Sequence, residues 1–234
     1  MSATVTPPPK PATPVHYPDS DGQPMADNTI QFRWILMLYT QLAAQYRDDA
    51  NTFIAGDHLI YPVESENKLC QAPDVYVAFG RPKKDRGSYR VWEEGGVFPQ
   101  VIFEVWSPNN RYTEMQDKFA FYEKHGAEEY YILYPEFPMH ADAFRRDGAT
   151  LARVADVNGY VSPRTGLRFA LETGQLTVFG RDGRPLRTAE ELGAEREAAE
   201  RTAREQRQRA DAEAERATKL AAKLRELGVD PDTL

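Results

Sequence analysis

A chain of 234 residues, 41% hydrophobic and 28% charged, can bury one sizeable core and must carry polar appendages outside it. Its formal net charge of -7 argues against a protein that grips nucleic acid over its whole surface, because phosphate binding rests on lysine and arginine. The lone Cys70 excludes an intramolecular disulfide and a thiolate zinc cluster, and His16, His58, His125 and His140 show no ligand spacing.

Residues 1–18 carry prolines at 7, 8, 9, 11, 14 and 18 with few apolar anchors, which predicts a disordered or extended arm. The arm lacks the basic start and apolar stretch of a signal peptide. No later segment approaches the roughly 18 uninterrupted apolar residues of a membrane span. The expectation is a soluble, cytoplasmic protein with no membrane partner.

Asn28 is a plausible N-cap for a helix through about Arg47, in which Ile30, Trp34, Leu38, Leu42 and Tyr46 recur near helical spacing. Strands are predicted near Thr52–Tyr61, Val75–Phe79 and Gln100–Trp106. A helix over about Thr113–His125 ends at Gly126, a favourable C-terminal cap, and a strand follows over Glu129–Tyr134. Shorter strands near Ala143, Leu151–Val154 and Leu176–Phe179 extend the sheet. If the strands flanking the second helix lie parallel, their crossover should be right-handed.

From about Thr188 to Leu227 the composition turns to Ala, Glu and Arg, with ten acidic and nine basic residues between 190 and 226, which reads as one long charged helix. Ala203, Ala210, Ala214, Ala217, Ala221 and Leu224 form a thin heptad-like seam, and Gly228 and Pro231 end it. A homodimer through this helix and a solvated helix lying back on its own domain are both consistent with the pattern. The domains expected are thus an arm over 1–18, a folded domain over 19–187 and the charged helix over 188–234.

The chemistry is concentrated in two apolar strands, "APDVYV" from Ala72 and "VIFEVWSP" from Val101. An ionised carboxylate in a buried strand costs several kcal/mol or more unless it is paired or holds a cation, so Glu104 needs an explanation. Strand alternation puts Ile102, Glu104 and Trp106 on one face and Val101, Phe103 and Val105 on the other. If the two strands are neighbours, Asp74 and Glu104 converge at one edge of the sheet, an arrangement suited to Mg2+. The competing reading has Asp74 capping a turn after Pro73 and Glu104 in a structural ion pair. The loop "RPKKDRGSYR" supplies Arg81, Lys83, Lys84 and Arg86 just after the Asp74 strand, either as phosphate contacts or as a merely solvated basic loop.

Taken in order, "SDGQPM" from Ser20, "PDV" from Pro73, "EVWSP" from Glu104, Arg111, Lys118, Tyr122 and "GAEEYY" from Gly126 resemble the Uma-type restriction-endonuclease-like family of the PD-(D/E)xK nuclease superfamily. The resemblance runs from about Asp21 to Gly180. It implies an α/β restriction-endonuclease-like core, helix, three strands, helix, strand, here followed by the long C-terminal helix. It further implies that Asp74 and Glu104 hold a divalent metal, Mg2+ or Mn2+, in an endonuclease acting on DNA.

The superfamily's usual lysine two residues after the glutamate is absent, since position 106 is Trp, and Lys118 matches the lysine that this family carries on the following helix. Glu114 and Tyr134 stand where the family has Asp. The resemblance therefore implies Asp74, Glu104 and Lys118 as the catalytic set, with Asp21 or Glu114 as outer-shell candidates. A different class of reading, an inactive nuclease-fold interaction module assembled through its C-terminal helix, stays open at this point.

Overall fold

The computed structural model describes residues 15–227. Residues 1–14 of the proline-rich arm and the expected helix stop at Gly228 and Pro231 lie outside the described residues. The described chain divides into two compact units, one ending at Leu186 and one beginning at Arg187.

Helix α1 spans Thr29–Gln45 and starts where the Asn28 side chain accepts from the amides of Ile30 and Gln31. It stops two residues short of the predicted Arg47, with Tyr46 as cap and its ring buried. Strands β1 (Thr52–Ala55), β2 (Ile60–Tyr61), β3 (Val75–Phe79), β4 (Tyr89–Arg90) and β5 (Val101–Val105) follow. Helix α2 is Tyr112–His125, ended by Gly126 at φ 104°, where a side chain would be strained. Then come β6 (Glu129–Tyr134), β7 (His140–Asp147), β8 (Thr150–Arg153), β9 (Arg168–Glu172) and β10 (Gln175–Phe179).

Six strands form a mixed sheet in the order β1-β3-β5-β6-β7-β8. The β5–β6 pair, joined through α2, is parallel and the other pairs are antiparallel. This is the α/β core order expected, and β7 and β8 extend the sheet; the strand expected near Leu176–Phe179 does not, because β10 pairs with β9 in a separate two-stranded sheet. Alternation along the strands builds two cores. Val75, Val77, Val101, Phe103 and Val105 pack with Ile35, Leu38 and Leu42 of α1. Tyr76, Ala78, Ile102, Tyr130 and Ile132 pack with Met115, Phe121 and Tyr122 of α2. The helices thus cover opposite faces of one sheet.

The strand expected over Thr52–Tyr61 is two strands. At Gly56 the chain passes so close to β3 that a Cβ there would sit 2.6 Å from the Asp74 carbonyl oxygen. Asp57 follows at φ 48°, and its amide donates to the Pro73 carbonyl at 3.1 Å. The bend leaves β1 in the main sheet and sends β2 into a separate parallel pair with β4.

In the second unit, α3 spans Ala189–Glu226 and opens on a capping box in which Thr188 and Glu191 satisfy each other's backbone amides. None of its described residues is buried, and Arg196–Glu200 and Lys219–Glu215 pair at one-turn spacing.

Candidate active site

Antiparallel pairing brings Val75 opposite Phe103. The start of β3 and the end of β5 are therefore neighbours, and the ladder runs out where Asp74 meets Val105. The Val105 amide, left without a β3 partner, donates to Asp74 Oδ2 at 2.6 Å. Asp74 is thus tied to the neighbouring strand rather than to a turn of its own.

Glu104 points to the α2 face and is 2% exposed. Both of its oxygens are engaged from α2. Lys118 Nζ donates to Oε2 at 2.9 Å, and Tyr122 Oη donates to Oε1 at 2.8 Å. Lys118 and Tyr122 lie four residues apart, so one helical face delivers both donors. The Lys118 side chain is 14% exposed, which rules out the solvent-facing lysine that an amphipathic helix would otherwise suggest.

A cleft of about 380 Å³ opens over this contact and is lined by Asp21, Asp57, Asp74, Glu104, Glu114 and Lys118, among others. Burial, and next to it the repulsion of Glu104, push the Asp74 carboxyl well above the ordinary range, with Lys118 opposing. Burial works against the Lys118 charge, but Glu104 and Asp74 outweigh it and hold the ammonium above the usual lysine value. The charged form of Lys118 is thus favoured beside Glu104. Asp57 is raised by burial and then by Asp21.

Gln31 is a further participant with no signal in the sequence pattern, since it sits on α1 among residues read only for periodicity. Buried at 5% exposure, its Nε2 donates to the Val105 carbonyl at 2.9 Å, and its Oε1 accepts from the Asp27 amide at 2.8 Å. It lines the cleft and ties α1, the 21–27 segment and β5 together. Asp57 was equally silent in the sequence: it becomes part of the site only because the chain bends at Gly56. Tyr122 belonged to the quoted motif without a role.

Asp21 and Glu114, the outer-shell candidates, both line the cleft. The basic loop does not. Arg81 Nη1 donates to the Glu94 carbonyl at 2.6 Å, and Lys83 Nζ donates to the carbonyls of Tyr46 and Arg47. Arg86 forks onto Glu94 at 2.7 and 3.0 Å with its guanidinium 4.0 Å over the Phe53 ring. Lys84 also reaches Glu94, at 3.1 Å, but stays half-exposed. Trp106, in place of the usual lysine, packs with Tyr134 at 5.6 Å, and the Tyr134 hydroxyl donates to Asp142 Oδ2 at 3.2 Å.

Among the described residues no three His, Cys, Asp or Glu side chains form a ready-made metal cage, and no helix is long and apolar enough to cross a membrane. No curated protein matches the chain. A crystal structure of a putative nuclease belonging to DUF820 from Anabaena variabilis is similar at 11% identity and a TM-score of 0.43, covering 58% of this chain and 72% of that one. The Uma2 family, described as a putative restriction endonuclease, matches residues 16–195, and the chain belongs to it.

Proposed function

We propose that the chain is a metal-dependent endonuclease hydrolysing DNA phosphodiester bonds, with Asp74, Glu104 and Lys118 as its catalytic residues. The observation that carries this reading is the convergence of Glu104 on β5, Asp74 immediately before β3 and the buried Lys118 in a cleft. The donor set fits a hard divalent cation. Two carboxylates crowd against each other, Asp74 is left uncomfortable as an anion, and Mg2+ asks for one or two carboxylates with the rest of its shell left to water and phosphate. Asp74 and Glu104 would hold Mg2+ or Mn2+, which supplies polarisation of the phosphoryl oxygen.

The chain's own residues then have distinct parts. Lys118, its charged form favoured by Glu104, orients the attacking water and stabilises the negative charge that develops on the phosphorus oxygens. Tyr122 and Lys118 hold the Glu104 carboxylate in one orientation. The Val105 amide does the same for Asp74, and Gln31 fixes Val105 from the other side.

The test is cleavage of supercoiled and single-stranded DNA with Mg2+ or Mn2+, comparing the parental chain with Glu104→Gln. Metal-dependent cutting that disappears in the variant supports the reading, and equal cutting by both proteins would sink it. A second reading, a nuclease-fold interaction module assembled through its C-terminal helix, draws on α3, whose 38 residues leave Leu192 and Leu220 exposed at 42% and 63%. On either reading we propose a homodimer through α3. Light scattering that returned a monomer mass for the full chain would exclude it.

A further inference from the structure

Helix α1 carries two apolar stripes. Ile35, Leu38 and Leu42 are buried on the sheet, but Phe32, Leu36 and Tyr39, at helical spacing on another face, are exposed at 47, 38 and 40%. With Met25 and Phe53 they line a groove of about 470 Å³ between α1 and β1, the edge strand of the sheet. A contiguous exposed apolar patch of this kind is a candidate binding surface.

The groove adjoins the cleft that holds Asp74 and Glu104. Met25 lines both, and the groove wall at Gly56 passes directly into Asp57 of the cleft. A chain whose phosphate sat at Asp74 and Glu104 would have this groove beside it.

Charge bears on what the groove would take. The cleft presents Asp21, Asp57, Asp74, Glu104 and Glu114 against Lys118. Arg81, Lys83 and Arg86 are committed to internal partners. Phosphate attraction from that loop is correspondingly weak, so contacts that do not need cations gain weight. Stacking of bases on aromatic rings is such a contact, but a duplex hides its base faces. Lys84 lines the groove and is half-exposed, but its ammonium is paired with Glu94 at 3.1 Å.

We propose that the groove is a nucleobase subsite, seating an unstacked base next to the scissile phosphate, and that the substrate is therefore single-stranded or locally unpaired nucleic acid. The proposal rests on the nuclease reading above. It assigns Phe32 and Tyr39 to substrate binding and gives them no part in the chemistry.

The test is fluorescence anisotropy of the full chain in EDTA, so that nothing is cut, with a labelled single-stranded oligonucleotide and its duplex. Phe32→Ala and Tyr39→Ala are the variants, both at exposed positions, with thermal melts run alongside. The expected result is single-strand binding at least about 10-fold tighter than duplex binding, and a loss on the order of 10-fold in each variant at unchanged melting temperature. Equal affinity for duplex, parental affinity in both variants, or no binding of any oligonucleotide would overturn it. A lower mass by light scattering in the variants, with unchanged DNA affinity, would also overturn it and assign the groove to a second copy of the chain.

Failure of the nuclease reading looks different. Single-strand binding that depends on Phe32, with no metal-dependent cutting of any DNA, removes the enzyme and leaves the subsite standing.

Discussion

Lys118 Nζ and Glu104 Oε2 meet at 2.9 Å between α2 and β5 with both side chains largely out of water. A buried pair of this kind is weak evidence for stability, because each charge gives up hydration to enter it, yet removing one partner strands the other. The contact fixes the Lys118 and Glu104 side chains beside the cleft, and it is the ion pair that the competing reading of Glu104 expected.

Lys118→Ala is expected to lower the rate of DNA cleavage by at least about 100-fold and the unfolding free energy by about 3 kcal/mol. Plasmid nicking rates and urea denaturation measure the two effects separately. Cleavage close to the parental rate would take Lys118 out of the mechanism.

Tyr122→Phe deletes one hydroxyl and nothing else from the site. Glu104 loses one of its two donors while Lys118 still holds the other oxygen. The expected cost is about 1–3 kcal/mol in stability, since a buried acceptor on a charged group goes unsatisfied, with a smaller fall in cleavage than Lys118→Ala causes. A drop in rate as large as that of Lys118→Ala would give Tyr122 a direct part in the reaction.

Asp74 sets a pH dependence of stability. Burial and the Glu104 charge raise its pKa in the folded state above the ordinary aspartate value. Between those two values the folded protein binds more protons than the unfolded one, so stability falls as pH rises through that window. In EDTA, Asp74→Asn is expected to flatten that fall and to be more stable than the parent near neutral pH. The same variant should lose cleavage. Denaturation midpoints at several pH values would show it, and a variant less stable than the parent at every pH would contradict the argument.

Gln31→Ala breaks the bonds to the Val105 carbonyl and the Asp27 amide. A loss of about 1–3 kcal/mol is expected from the unsatisfied backbone groups, together with weaker Mn2+ binding by calorimetry, because Val105 also seats Asp74. Unchanged metal affinity would confine Gln31 to a structural part.

Glu129 is the control away from the cleft. Its carboxylate, 2% exposed, accepts from the Tyr131 and Ser162 hydroxyls and the Arg164 amide. Glu129→Ala should destabilise by about 3 kcal/mol by breaking this buried network, while cleavage per folded molecule stays unchanged.

Much of this protein is local and was therefore legible in the residues. Asn28 and Gly126 bracket their helices by capping chemistry that needs no tertiary partner. The alternation in "VIFEVW" already separates Glu104 from Val101, Phe103 and Val105, because side chains of a strand point to opposite faces wherever the strand ends up. The Ala-Glu-Arg run reads as one helix because its charges pair along it.

Contacts between distant segments had to wait for the fold. Asp74 meets the Val105 amide only because β3 and β5 pair in one register. Gln31 and Asp57 join the site because α1 crosses β5 and the chain bends at Gly56, neither of which leaves a periodic trace. The loop with Arg81, Lys83 and Arg86 is basic in sequence, but the folded chain turns these cations inward onto Glu94 and free carbonyls. Composition reports how much charge a segment carries; only packing decides which charges still face the solvent.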